Sequence, residues 1–277
     1  PPSFPPAYDL APPVDLTDPS VFSSRGDYTH DAFAEMREKA PVMWHPEQVG
    51  AGFWAVTSYD LVKQVELDPI TYSSQRGGIL MTYGQEDTPR HPLLHSSSLN
   101  SLINLDRPYH TTLRMEHMQF FRPGFVAELK KRVDVQVNEL LDKMEQQGPI
   151  VDMVETFSAE LPLFTLCEIL GVPAEDRPKL VHWMHFLENS QYQAQQEGLG
   201  NVTPEQMMEF MGEIQAMFDY GRYMLAKRRE NPQNDLLSAI ANVEIDGKPL
   251  SPEFLDGSWL LIVFAGNDTT RNSLSGT

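Results

Sequence analysis

The sequence has only one cysteine, Cys167, among its 277 residues. A single cysteine excludes an intrachain disulfide, an all-cysteine zinc site and a cysteine-ligated iron–sulfur cluster held by this chain alone. A chain of this length buries enough surface to form a core without such crosslinks. Cys167 lies in the apolar, helix-like segment of residues 163–170, so we expect a buried core cysteine rather than a reactive one.

Basic residues and long apolar runs are also scarce. The chain carries 21 Lys+Arg against 39 Asp+Glu, a formal net charge of −18, which argues against binding to nucleic acid or to an anionic membrane surface. The longest apolar run, residues 259–265, is far shorter than the roughly 20 residues that span a bilayer. The first residues have no basic segment followed by an apolar one, as a signal peptide would. We therefore expect a cytoplasmic protein with no membrane span and no nucleic-acid partner.

The composition is otherwise that of an ordinary globular protein, with 41% hydrophobic and 22% charged residues. Residues 1–29 are rich in proline and lack helical periodicity, which predicts an arm on the surface of a single domain formed by residues 30–277. That domain is predicted to be mostly α, with a small N-terminal β region. The sequence ends at Thr277 inside a predicted helix, so we expect the chain to be the N-terminal and central part of a larger domain.

The periodicity of apolar residues predicts the individual elements. Residues 42–44 and 53–57 are predicted to pair as strands, and the Asp-Gly pair within residues 243–250 favours a tight hairpin. No periodicity persists over residues 73–105, which predicts a long loop. Helices are predicted at residues 30–40, 59–67, 125–147, 151–170 and about 204–229, the last of them opened by a capping box at Thr203.

The last predicted helix changes character abruptly. It opens at Ser251-Pro252 and is apolar on nearly all sides from Trp259 to Ala265, so we expect it to be central and buried. Residues 266–272 then read Gly-Asn-Asp-Thr-Thr-Arg-Asn. Buried acids and hydroxyls are costly unless they are paired or used.

This polar segment has two interpretations. Gly266 costs about 1 kcal/mol relative to alanine inside a helix, but it lets a flat or diatomic ligand approach the backbone. A threonine hydroxyl here can bond back to the carbonyl one turn earlier and bend the helix. Alternatively, the helix simply emerges into solvent at Asn267. The residues alone leave both interpretations open.

A second polar segment, residues 106–114, reads Asp-Arg-Pro-Tyr-His-Thr-Thr-Leu-Arg. Pro108 suits the first turn of a helix, which places His110 and Arg114 one turn apart on the same face. Two such donors suit a pair of carboxylates or a phosphate. By spacing alone, a solvated helix face with Asp106 as N-cap is the favoured interpretation.

Together, these two segments resemble the signature motifs of the cytochrome P450 family, the haem-thiolate monooxygenases, of the soluble bacterial type. Residues 265–270 match the family's central-helix pattern, (Ala/Gly)-Gly-x-(Asp/Glu)-Thr-(Thr/Ser). Residues 106–114 match its haem-propionate pattern, Asp-x-Pro-x-His-x-x-x-Arg. The order of strand pair, irregular loop, propionate helix, hairpin and central helix also agrees over nearly the whole chain. The resemblance implies a P450-like helical fold.

The resemblance also implies a cofactor, haem b, and roles for particular residues. His110 and Arg114 would bind the haem propionates, and Ala265, Gly266 and Thr269 would line the face where O₂ binds. Thr269 would hydrogen-bond the bound oxygen, and Asp268 would feed protons to it. The expected walls of a hydrophobic substrate pocket are Ile79, Leu80, Met81, Leu102, Ile103 and Ala265.

The implied activity is insertion of one atom of O₂ into a C–H bond of a hydrophobic small molecule. Residues 267–273 look most like the subgroups that act on terpenoids, alkyl chains and sterol side chains. Electrons would come from NAD(P)H through a ferredoxin reductase and a ferredoxin. The family's partner-facing side would correspond to a basic cluster at Arg107, Arg122, Lys130, Lys131 and Arg132, for which ordinary surface charge is the alternative.

The sequence departs from the family at one important point. The family's cysteine ligand and its Glu-x-x-Arg motif follow the central helix, and neither occurs in these 277 residues. We therefore expect no metal ligand within this chain and an axial cysteine in an absent C-terminal part. If the 277 residues were the whole product, a haem-free helical binding or interaction protein would be the competing reading. A haem protein that uses peroxide directly is a third, against which Asp268-Thr269 argues.

Overall fold

The computed structural model describes residues 13–18, 21–22, 28–46, 52–76, 92–197, 203–266 and 268–276. The chain forms two compact units, Pro1–Arg90 and His91–Thr277. The division into an arm at residues 1–29 and a single domain at residues 30–277 remains a prediction.

The first unit is built on a strand pair between two helices: α1 (Tyr28–Lys39), β1 (Val42–His45), β2 (Phe53–Val56) and α2 (Tyr59–Leu67). The two strands are antiparallel and place Trp44 opposite Trp54, which confirms the predicted pair. The α1 residue Met36 packs with Met43 of β1 and Ala55 of β2 in a small core. Part of the proline-rich segment contacts this unit, because the Leu16 amide donates a hydrogen bond of 2.8 Å to His45 Nε2.

The second unit is almost entirely helical, which confirms the predicted fold class. A two-stranded hairpin, β3 (Glu244–Ile245) and β4 (Lys248–Pro249), precedes the last long helix. Asp246 and Gly247 at its turn both have positive φ, as a type I′ turn requires. The helices are α3 (Pro92–Leu99), α4 (Tyr109–His117), α5 (Pro123–Gln147), α6 (Glu160–Leu170), α7 (Arg177–Glu197), α8 (Pro204–Glu230), α9 (Leu236–Asn242), α10 (Pro252–Ala265) and α11 (Asp268–Ser275).

The long loop predicted for residues 73–105 was wrong at its C-terminal end, where α3 forms. The Ser96-Ser97-Ser98 run has no apolar periodicity, yet Ser97 and Ser98 are buried because α3 packs against α10. Gly257 on α10 makes this packing close, since a Cβ there would lie 2.5 Å from the Asn100 carbonyl oxygen. The small residues of α3 and α10 therefore allow a close helix–helix contact where the sequence predicted a loop.

The single helix predicted over residues 151–170 was also wrong, because it is interrupted. A π-turn spans Val154–Ser158, and α6 follows it from Glu160. Asp152 Oδ1 accepts the amide of Val154 at 2.8 Å, which caps the π-turn. Pro162 has no amide hydrogen to bond to Ser158 and therefore cannot continue a regular helix across this point.

The core of the second unit surrounds α10, as its apolar sequence predicts. The Trp259 indole is buried and donates a hydrogen bond of 3.1 Å to the Met217 carbonyl of α8. Gly221 leaves room for this ring, since a Cβ there would lie 2.6 Å from it. The predicted capping box at the start of α8 is also present, with Thr203 Oγ1 accepting from the Gln206 amide at 3.2 Å.

A buried ion pair joins the ends of α8, α9 and α6. Arg228 Nε lies 2.5 Å from Asp235 Oδ2, and Arg228 Nη2 donates a hydrogen bond of 2.6 Å to the Gly171 carbonyl. Asp235 also caps α9 by accepting the Ser238 amide at 2.8 Å. Gly171 ends α6 with a φ of +75°, and a Cβ there would collide with the Asp235 carboxylate.

Across the described part of the chain, none of the helices combines the length and the hydrophobicity that a bilayer crossing requires.

Candidate functional site

The central helix breaks at the segment singled out from the sequence. Helix α10 ends at Ala265, Gly266 is its C-cap residue, and α11 begins at Asp268. Thr269 Oγ1 donates a hydrogen bond of 3.2 Å to the Ala265 carbonyl one turn earlier, which confirms the predicted back-bond. This hydroxyl satisfies a carbonyl that the break would otherwise leave without an intrahelical partner.

A cavity of about 720 Å³ lies against this break. Its volume falls within the range of roughly 300–1,000 Å³ that is usual for small-molecule and cofactor sites. The lining is mostly apolar and comes from α4, α5, α6, α9, α10, α11 and the turns beside them: Leu102, Ile103, Arg114, His117, Met118, Phe121, Val133, Leu161, Pro162, Thr165, Leu166, Ile169, Leu236, Leu261, Ile262, Ala265, Gly266, Thr270 and Leu274.

One side of the cavity carries two basic side chains from α4, Arg114 and His117. They lie three residues apart and therefore share a helix face. His117 is only 7% exposed, and its Nε2 has no hydrogen-bond partner within the described part of the chain. Burial lowers the pKa of His117 to about 4, so the imidazole is neutral near pH 7.

The structure brings several of the predicted site residues together. Arg114, Ala265 and Gly266 line the cavity, as do the predicted substrate-wall residues Leu102 and Ile103. The close approach that Gly266 permits is made by a side chain of the protein itself, since a Cβ on Gly266 would lie 2.6 Å from Leu166 Cδ1.

Other predicted residues lie elsewhere. His110 is half-buried on α4 and is not among the lining residues. Thr269 is exposed, and its neighbour Thr270 lines the cavity instead. Asp268 belongs to α11, but its side chain is outside the described part of the structure. The predicted wall residues Ile79, Leu80 and Met81 lie outside the described residues.

Sequence reasoning missed His117 and the α6 wall. His117 follows His110 by seven residues and Arg114 by three, so helical spacing alone could have placed it on the same face. The α6 residues, such as Leu161 and Ile169, carried no such signal. Their apolar pattern is that of any buried helix, and only packing decides which of them face a cavity.

Cys167 is a core residue, as expected from its surroundings. It is fully buried, and burial raises the pKa of its thiol to about 12. Its neighbour Leu166 lines the cavity, but Cys167 does not. The thiol is therefore held in its neutral form, away from the cavity.

The predicted basic cluster is partly neutralised. Lys130 pairs with Asp134 and Lys131 with Glu128 at 2.5 and 2.7 Å. Arg132 Nε lies 2.6 Å from Glu168 Oε2. Within the described residues, the remaining members of the cluster, Arg107 and Arg122, form no ion pair.

The donor set of the cavity fits a large, flat, apolar group with carboxylates at one edge. The apolar walls suit the body of such a group, and at the break Ala265 contributes only a methyl group, while Leu166 packs over Gly266. The Arg114 guanidinium and the unpartnered His117 nitrogen suit its carboxylates. The class that these features define is a helical protein built around a cofactor-sized cavity, with a break in its central helix against that cavity.

Comparisons with known proteins show what the chain is similar to. No family model matches the chain. The chain is 31% identical over 268 residues to linalool 8-monooxygenase of Pseudomonas putida, covering 95% of this chain and 62% of that protein. It is 30% identical over 278 residues to steroid C26-monooxygenase of Mycobacterium tuberculosis (strain H37Rv), covering 98% of this chain and 60% of that protein.

The fold agrees with these sequence matches. The Mycobacterium marinum cytochrome P450 CYP268A2, solved in complex with pseudoionone, superposes with a TM-score of 0.77 and is 26% identical, covering 96% of this chain and 63% of that one. The resemblance to the soluble bacterial cytochromes P450 is therefore confirmed in sequence and in fold. The chain spans about 60% of the length of the curated relatives it matches.

The buried neutral His117 predicts a specific loss of stability in acid. Its folded-state pKa of about 4 lies below the ordinary value of 6.5, so the unfolded chain binds the proton first as the pH falls. Protonation of His117 therefore leaves the free energy of unfolding unchanged above pH 6.5. As the pH falls to about 4, the same protonation lowers the free energy of unfolding by up to about 3 kcal/mol. Urea unfolding of the wild type and of His117→Leu, each at about pH 7 and about pH 4, measures it. Other acid effects are common to both proteins, so an equal loss in both would contradict the prediction.

Proposed function

We propose that this chain is part of a haem-dependent monooxygenase that inserts one atom of O₂ into a C–H bond of a hydrophobic small molecule. The observation that carries the proposal is the apolar cavity whose lining includes Arg114 and His117 of α4 and Ala265 and Gly266 at the helix break. The relatives named as monooxygenases of linalool and of a steroid support a substrate of terpenoid, alkyl-chain or sterol-like character.

The cofactor that fits this cavity is haem b. Its carboxylates would be held by Arg114, with His110 one turn earlier on α4 as the second contact that the family motif implies. When bound, the haem supplies the iron centre that activates O₂ with electrons derived from NAD(P)H. We expect its axial cysteine outside these 277 residues, because Cys167 is buried, neutral and away from the cavity.

The residues of this chain would supply protons and exclude water. Cleavage of the O–O bond needs protons, and a hydroxyl backed by a carboxylate one position earlier, Thr269 and Asp268, can deliver them. The Thr269 hydroxyl is held at the Ala265 carbonyl, next to residues that line the cavity. The apolar side chains Leu261 and Ile262 keep bulk water from the same space, which protects the reaction from side products.

The electron donor in this proposal is a ferredoxin served by a ferredoxin reductase. Support comes from Arg107 and Arg122, exposed cations that form no ion pair within the described residues and can meet an acidic partner. The paired state of Lys130, Lys131 and Arg132 reduces their contribution to such a surface. We also propose that the protein acts in the cytoplasm.

The test is an absorption spectrum of the purified natural protein, reduced and exposed to carbon monoxide, together with its intact mass. We expect the red-shifted band of a thiolate–haem–CO complex and a mass above that of these 277 residues. A mass equal to these 277 residues with no haem band would refute the monooxygenase proposal and would favour a binding function.

A further inference from the structure

The buried imidazole of His117 has a nitrogen atom, Nε2, whose hydrogen bond a bound ligand could supply. Buried polar atoms in native proteins are rarely left without a hydrogen bond. His117 is more than nine-tenths buried, lines the cavity, and its Nε2 meets no donor or acceptor among the residues that the structure describes. The partner it lacks would therefore belong to whatever fills the cavity.

The charged side chains around His117 indicate which sign of charge its partner should carry. Among the described residues that line the cavity, Arg114 is the one other titratable side chain, and it is a permanent cation. The remaining polar lining residues are Thr165 and Thr270, and the Thr165 hydroxyl already donates to the Leu161 carbonyl at 2.8 Å. The local field is positive, so an anionic acceptor is favoured next to His117.

We propose that His117 Nε2 donates a hydrogen bond to a carboxylate of the group that fills the cavity, beside Arg114 on the same face of α4. The inference rests on the proposed function, in which that group is haem and the carboxylate is one of its propionates. His117 is then a positioning residue, not a catalytic one. It would hold a carboxylate of the group and would not touch the reacting atoms.

This role has a signature that a purely structural role lacks. In the ligand-free chain, the His117 nitrogen loses its hydrogen bonds to water and gains none. Replacing it with leucine therefore removes an unsatisfied polar group, which is neutral or stabilising. The same replacement weakens ligand binding only when the ligand carries carboxylates. Arrival of a carboxylate also favours the protonated imidazole, so binding should strengthen as the pH is lowered towards the range where His117 gains its proton.

The experiment compares two probes that share one ring. Metal-free protoporphyrin IX has two carboxylates, and its dimethyl ester has none. Fluorescence titration of the complete natural protein, purified in its haem-free form, gives a Kd for each near neutral pH. For His117→Leu we expect the Kd of the diacid to rise about tenfold, because one hydrogen bond to a charged group is lost. The Kd of the diester should stay the same. His117→Gln retains an N–H donor and should restore part of the affinity.

The controls distinguish a loss of binding from a loss of folding. They also distinguish failure of the role of His117 from failure of the proposed function. His185→Leu makes the same substitution at an exposed histidine of α7, away from the cavity, and should change neither Kd. Thermal unfolding of ligand-free His117→Leu near neutral pH should match or exceed the wild type. Equal weakening of both porphyrins, or no weakening of the diacid, would overturn the role of His117 alone. If the wild-type protein bound neither porphyrin, the proposed function would be overturned as well. This outcome is measured on the wild-type protein alone.

Discussion

Asp235→Ala is expected to lower the free energy of unfolding by about 3–5 kcal/mol, the usual cost of removing one partner from a buried ion pair. The substitution leaves the Arg228 guanidinium buried without its carboxylate and also removes the N-cap of α9. Urea-induced unfolding followed by far-ultraviolet circular dichroism measures the change.

The matched control is Asp219→Ala, which removes an exposed carboxylate 3.6 Å from Arg222. A surface pair of this kind contributes no more than about 1 kcal/mol. The double variant Arg228→Met with Asp235→Asn should recover part of the loss, because it leaves no unpaired buried charge. If Asp235→Ala lost no more stability than Asp219→Ala, the ion pair would not hold these helices together.

This ion pair also bears on the site. Leu236, the residue after Asp235, lines the cavity, and Gly171 follows α6, which forms another wall. Arg228 therefore ties together two elements that enclose the cavity. We expect Asp235→Ala to reduce ligand binding along with stability, since both walls lose the same clamp.

In the monooxygenase proposed above, Thr269→Ala is expected to separate oxygen consumption from product formation. Without the hydroxyl at the Ala265 carbonyl, proton delivery slows, and positioned acid–base groups typically contribute about a hundredfold or more to such steps. Oxygen should still be consumed, but most of it should leave as hydrogen peroxide. Parallel measurement of oxygen uptake, peroxide and hydroxylated product gives the coupling ratio.

Two variants test the assignment of this hydroxyl. Thr269→Ser keeps the hydroxyl and should retain most of the coupling. Thr270→Ala removes the neighbouring threonine, which lines the cavity, and should change substrate affinity more than coupling. If Thr269→Ala kept the wild-type ratio of product to oxygen consumed and Thr270→Ala lowered it, proton delivery would be assigned to Thr270 instead.

Features set by neighbours in the sequence could be predicted well. The strand pair of residues 42–45 and 53–56, the capping box at Thr203 and the Asp246-Gly247 hairpin all depend on side chains and backbone within a few positions of one another. The two short motifs were sufficient to indicate the cytochrome P450 family. Three of the residues singled out through these motifs, Arg114, Ala265 and Gly266, line the cavity, and their roles stay a prediction.

Features set by distant segments could not be predicted. The Ser96-Ser97-Ser98 run resembles a loop until α10 packs against it through Gly257, more than 150 residues later. The burial of Asp235 against Arg228 and Gly171 likewise depends on contacts that no local pattern contains. The interruption before α6 did have local signals, Asp152 and Pro162, but a prediction from apolar periodicity does not use them.

The sequence by itself determined the helical class, the short-range caps and turns, the buried neutral environment of Cys167 and the two motifs of the family, because each depends on periodicity or on neighbours along the chain. The tertiary structure decided which residues surround the cavity. It placed His117 and the α6 wall there, left His110 outside the lining, and brought Thr270 to the cavity in place of Thr269. The physical reason is that a cavity wall is assembled from helices far apart in sequence, whose rotation and approach are determined by packing and not by helical propensity.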